Sequence, residues 1–180
     1  MAAKKNQSKI SVSMLLLLVG MAAASCGVYS FTGASTDAKN ISIQDFYNNA
    51  DLGPANMGQT FTNSIKNYFI QNTSLKLAPS DGELQLEGEI TDFKLTPIAP
   101  TASTTNTNAT NSASSTRVTI TMKVTYINTK DDKMSFKNRT FSFYKDFTND
   151  QDFSSIQEDL TRQIFDRLIN DIFNASVANW

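Results

Sequence analysis

From Val118 to Tyr126 the chain alternates without a slip. Val118, Ile120, Met122, Val124 and Tyr126 are apolar, and Thr119, Thr121, Lys123 and Thr125 between them are polar. A period of two gives a strand with one dry face and one wet face, and its β-branched residues suit a pleated, half-buried surface. A lone strand of this kind cannot bury its dry face. It needs neighbours in a sheet and a second layer to cover that face, so the rest of the chain must supply both.

The neighbours are legible. Ile41 and Ile43 mark a short strand, and Leu75 with Leu77 another, closed by the turn Pro79-Ser80-Asp81-Gly82. Leu84, Leu86, Gly88 and Ile90 alternate with Gln85, Glu87 and Glu89, after which the apolar positions change parity to Phe93 and Leu95. A one-residue slip in a period-two pattern predicts a bulge near Thr91-Asp92. Pro97 and Pro100 are expected to close that strand. Lys130-Asp131-Asp132 reads as a turn, and Phe136 through Tyr144 as the partner strand, with Phe141 and Phe143 on one face.

The covering layer is equally plain. Met57, Phe61, Ile65, Tyr68 and Phe69 recur at helical spacing, with Gln59, Thr62, Asn63, Lys66 and Asn67 opposite them and Pro54 suited to the first helical position. Ile156, Leu160, Ile164, Leu168 and Ile172 form a second row, flanked by Phe165, Ile169 and Phe173. Ser155 and Glu158 have the spacing of a capping box. The expected fold is α+β: a two-layer sandwich with two amphipathic helices on one face of a mainly antiparallel sheet of about four strands. Residues 99–116 hold Thr, Ser, Asn and Ala with little that is large and apolar, and read as a long loop.

Ahead of this domain the chain begins with Lys4, Lys5 and Lys9, an apolar run around Leu15 to Val19, and the small residues Ala22 to Ser25 before Cys26-Gly27. This is the layout of a bacterial secretory signal, ending at a cysteine of the kind that accepts a diacylglyceryl thioether. The apolar run is short of the ~20 residues a spanning helix needs. Residues 1–25 therefore read as a lipoprotein signal peptide, Cys26 as the acylation site and membrane anchor, 26–39 as a tether and 40–180 as one domain. Cys26 is the only cysteine, so no internal disulfide is available.

Composition narrows the function. There is no histidine, which removes the commonest general base and metal ligand. Loss of the leader removes Lys4, Lys5 and Lys9 but no acidic residue, leaving a net charge near −4. Nucleic acid is therefore not an expected partner. No phosphate loop, EF-hand or nucleophile motif is present. Glu83, Glu87, Glu89 and Asp92 read as a solvated strand face. The expectation is a binding protein with no cofactor or metal rather than an enzyme. Arg117, Lys123, Lys130, Lys133, Lys137, Arg139 and Lys145 crowd the last hairpin. Arg117, Lys123, Lys133, Lys137 and Arg139 are candidates for an anionic ligand, weighed against ordinary edge protection by basic side chains.

Cys26-Gly27-Val28-Tyr29-Ser30-Phe31, the Leu84-x-Leu-x-Gly-x-Ile90 strand, Gln59-Thr60-Phe61-Thr62 and the closing Asn179-Trp180, in this order of elements, resemble the LptE family in the form found in Bacteroidetes. The resemblance implies an outer-membrane lipoprotein that plugs a large β-barrel, the lipopolysaccharide translocon LptD, supports its assembly and binds lipopolysaccharide. Residues 27–36 carry no charge, unlike the acidic stretch that follows the cysteine in many surface-exported lipoproteins of that group, so a periplasm-facing domain is expected. The alternative is an auxiliary binding lipoprotein of an ABC-type lipid transporter.

Overall fold

A computed structural model describes residues 37–98 and 114–177. The chain divides into a unit at residues 1–32 and a unit at residues 33–180, and every described residue belongs to the second. The leader, Cys26, most of the 99–116 loop and the closing Asn179-Trp180 lie outside the described residues.

Six strands form one sheet: β1 (Asn40–Ile43), β2 (Tyr47–Asn48), β3 (Lys76–Ala78), β4 (Leu84–Ile98), β5 (Ser115–Asn128) and β6 (Phe136–Thr148). The order is β3-β1-β4-β5-β6, with β2 continuing beside β4 beyond β1. Two helices, α1 (Met57–Asn72) and α2 (Phe153–Ser176), cover one face. The two-layer α+β reading holds, but the sheet is larger than the expected four strands and is mixed. β1 pairs in parallel with β3 and β4, and β2 in parallel with β4, while β4, β5 and β6 are antiparallel. The reason is the placement of α1. A helix between two strands returns the chain to the end from which it started, so β1 and β3 lie side by side pointing the same way.

β3 and β4 are consecutive in the chain yet flank β1 on opposite sides, so the turn at 79–83 must step across β1. Gly82 makes this possible. A methyl group there would sit 2.4 Å from the Ser42 nitrogen, 2.6 Å from the Leu84 oxygen and 2.9 Å from the Ile41 carbonyl carbon. Instead the Gly82 N–H donates to Ser42 Oγ at 3.2 Å, and Asp81 before it takes a left-handed φ of 51°. All three obstructing atoms are backbone and cannot swing aside. Gly82→Ala is therefore expected to destabilise the domain by about 1–3 kcal/mol. A urea midpoint equal to wild type would contradict this crossing.

The expected bulge is present: the β4–β5 register shifts between Ile90 and Asp92. It keeps Ile90 and Phe93 buried against the helices and leaves Asp92 exposed. Gly88, on the apolar side of β4, leaves room for Phe46, whose ring would lie 2.5 Å from a methyl group there. Pro97 does not end the strand, which runs to Ile98. β4 has no second partner past Ile90 among the described residues, and proline is tolerated on such an edge.

The helix rows are core as expected. Phe61, Ile65, Ile164, Leu168 and Ile172 are fully buried, as are Val118, Ile120, Met122 and Val124 beneath them. Phe61 links the layers, with its ring edge-on to Phe46 at 4.8 Å and to Phe165 at 5.0 Å. Both helix starts differ from expectation. α1 begins at Met57, whose N–H bonds the Pro54 carbonyl in a preceding turn, so Pro54 is not the first helical residue. α2 is capped by Asp152, not by a Ser155–Glu158 box. The Asp152 carboxylate takes the Ser154 N–H at 3.2 Å and its hydroxyl at 2.7 Å, and its charge also suits the positive end of the helix. Thr62, expected at the wet face, is buried. It donates to the Gly58 carbonyl and accepts the Phe46 N–H, both at 2.8 Å.

Candidate functional site

The helices occupy one face of the sheet, and the described residues place nothing on the other. This open face is built by the polar half of each alternation. β5 contributes Arg117, Thr119, Thr121, Lys123 and Thr125. In register beside them β6 contributes Thr140, Ser142, Tyr144 and Asp146. On the other side β4 contributes Glu87, Glu89, Asp92, Lys94 and Thr96. The face is rich in hydroxyls and mixed in charge. Thr121 and Ser142 bond each other at 2.9 Å.

The five candidate basic residues do not form one patch. Arg117 lies toward the far end of the open face, engaged by Asp146 through two parallel bonds of 2.7 and 2.9 Å, with its guanidinium 3.6 Å above the Tyr144 ring. Lys123 is about 20 Å along the same strand, opposite Glu89 in the neighbouring strand. Lys133 lies in the short 3₁₀ turn Asp132–Met134 and is exposed. Lys137 is exposed beside a bulge that the sequence did not announce: the β5–β6 register shifts between Val124 and Tyr126, and Asn138 has φ 51°. Arg139, opposite Val124, lies on the helix-covered side at the sheet edge, 5.5 and 5.3 Å from the Phe136 and Phe141 rings. The clustering in sequence spreads over two faces and a turn, because neighbours along a strand point opposite ways. Cys26 lies outside the described residues.

The carboxylates are structural where they are engaged. Glu83 accepts the Lys39 N–H at 2.7 Å and pairs with Lys130 at 3.0 Å. The Lys39 bond first, and Lys130 second, hold its carboxyl below the ordinary 4.5. The Arg117 hydrogen bonds hold Asp146 below 3.8 in the same way. A group whose pKa is lower when folded contributes stability above its unfolded pKa and loses it as pH falls through the folded value. Stability should thus fall on acidification below about pH 4.5. Glu83→Gln should shallow that fall by lowering the melting temperature at pH 7, where the ionised carboxylate contributes, and by converging on wild type at low pH. An acid limb unchanged in the variant would refute the assignment. Tyr126, buried on the helix-covered face of the sheet, is pushed up to about 12 by desolvation and stays neutral. Among the described residues no group of His, Cys, Asp and Glu has a metal-binding arrangement, and no helix is long and apolar enough to cross a membrane.

Several solved structures are similar to this chain at low identity. They include a hypothetical protein of Chlamydia trachomatis (14% identity, 79% of this chain and 100% of that one, TM-score 0.47). A minor lipoprotein of Acinetobacter baumannii is another (14%, 75% and 89%, TM-score 0.44). A protein of Xanthomonas campestris is a third (8%, 81% and 88%, TM-score 0.48). No curated protein matches the chain by sequence. A family model described as LptE, Lipopolysaccharide-assembly, matches residues 38–176, which is nearly all of the unit just described, from the residues before β1 to the last turn of α2. The chain belongs to the LptE family.

Proposed function

We propose that this protein is an outer-membrane lipoprotein, anchored through acylated Cys26, whose domain seats inside an LptD-like β-barrel from the periplasmic side and assists lipopolysaccharide assembly at the cell surface. The family match across residues 38–176 carries this reading. The open sheet face supports it. A barrel lumen is polar, and a face of hydroxyls and mixed charges suits such a wall better than it suits lipid. Of the five candidate basic residues only Arg117 is held in an ion pair among the described residues, and Lys123, Lys133, Lys137 and Arg139 are exposed without one. Lys133 and Lys137 lie near one end of the β5–β6 hairpin, where both could meet one anionic headgroup.

The test is co-purification of the full-length protein from membranes in mild detergent. A large outer-membrane β-barrel should come down with it in a heat-modifiable band. Recovery of an inner-membrane ABC-type transporter instead would favour the auxiliary-lipoprotein reading and overturn this one.

A further inference from the structure

The seam between the two helices is unequal along its length. Toward the helix C-termini it is closed by aromatic rings: Tyr68 and Phe69 stand edge-on to Phe173 at 5.2 and 5.1 Å, and Tyr68 Oη bonds Asn170 at 2.6 Å. Toward the N-termini the facing residues are small, Thr60 and Ser64 on α1 and Thr161 on α2, and the seam opens into a cleft of about 420 Å³. That is within the size range of small-ligand sites.

Thr161 is the unusual residue in this cleft. It is only 6% exposed, and its hydroxyl is the one buried side-chain oxygen or nitrogen among the described residues with no hydrogen-bond partner. The other buried hydroxyls of α1 and α2, and the one that caps α1, settle this by donating one turn back. Thr62 reaches the Gly58 carbonyl at 2.8 Å, Thr73 that of Phe69 at 2.7 Å and Ser176 that of Ile172 at 2.8 Å. Thr161 does not. Native structures rarely leave a buried polar atom unpaired, and an exception at a cleft marks a place for a group from outside.

The lining limits what that group is. Met57 and Phe165 supply an apolar floor, and Gln157 an amide beside the hydroxyls. Glu158 and Asp166 are the acidic members, while the guanidinium of Arg162 is engaged by Asp159. The surplus of carboxylate disfavours an anion. A neutral pyranose matches both halves of the lining, with an apolar C–H face for the floor and hydroxyls that donate and accept along the walls.

We propose that the cleft between the N-terminal halves of α1 and α2 binds a neutral saccharide, with the Thr161 hydroxyl among its hydrogen-bonding groups. This does not rest on the lipopolysaccharide reading, since a free sugar binds or fails to bind whichever complex the protein joins.

The test uses the full mature protein in a detergent without a sugar headgroup, titrated with maltose and with N,N′-diacetylchitobiose. Backbone amide shifts are followed by NMR. At least one disaccharide should give saturable shifts confined to the N-terminal halves of the helices. Thr161→Val should weaken binding about tenfold, the worth of one good hydrogen bond, without lowering the melting temperature, because the hydroxyl has no internal partner to lose. Ser64→Phe, which fills the cleft from α1, should abolish binding, and Lys94→Ala on the open face should leave it unchanged. Tighter binding of dodecyl maltoside micelles than of maltose would assign the sugar to a glycolipid headgroup, and equal binding to a soluble glycan. The proposal is overturned if neither disaccharide gives saturable shifts, or if Ser64→Phe binds as wild type. It also fails if Thr161→Val binds equally well or melts lower.

Discussion

Phe61→Ala is expected to destabilise the domain by about 3–5 kcal/mol, the range for truncating a fully buried aromatic residue. Its ring has no solvent exposure and stands between Phe46 at 4.8 Å and Phe165 at 5.0 Å. Its loss removes one contact joining α1 to α2 and one joining α1 to the β1–β2 segment. The cavity cannot close by one side chain shifting, because each neighbouring ring is held by another element. Leu168→Ala, also fully buried, should cost about 2–5 kcal/mol. By contrast, deleting residues 101–112, which spares the two bonds between Ser114 and Asn149, should leave the melting curve nearly unchanged, since a polar loop contributes mainly closure entropy. Urea unfolding of the three variants is the measurement. A wild-type midpoint for Phe61→Ala beside an unfolded loop deletion would show that the core has been placed in the wrong part of the chain.

Cys26→Ala should abolish incorporation of labelled fatty acid. Each buried methylene contributes about 0.8 kcal/mol, and a single myristoyl chain binds a membrane only with K of about 10⁴ M⁻¹, so stable anchoring takes more than one chain. With no second cysteine to substitute, the loss should be complete. Acyl label retained in the variant would refute the site. The folded domain should be indifferent to the change, so Cys26→Ala protein that melts like wild type separates anchoring from folding.

Much of the fold was readable in the sequence, because burial leaves a period. The 3.6-residue rows at Ile164, Leu168 and Ile172, and the two-residue row from Val118 to Tyr126, name the buried atoms directly. Even the bulge at Ile90–Asp92 showed as a change of parity. The basic hairpin was misleading for a related reason. Clustering along the chain says nothing about facing, and alternation together with the bulge at Asn138 sent Arg117 and Arg139 to opposite sides of the sheet.

Periodicity tells a strand which face is dry, but not which strand lies beside it or in which direction. The sequence alone carried the two helices, the long strands, their dry faces and the resemblance to the LptE family. Only the tertiary structure decided the parallel pairing of β1 with β3 and β4, the passage of Gly82 over the β1 backbone, the burial of Thr62 and the unpaired hydroxyl of Thr161. Each of these depends on what a residue meets across a gap of tens of positions in the chain. That meeting is fixed by backbone hydrogen-bond pairing and side-chain packing, which leave no period in the sequence.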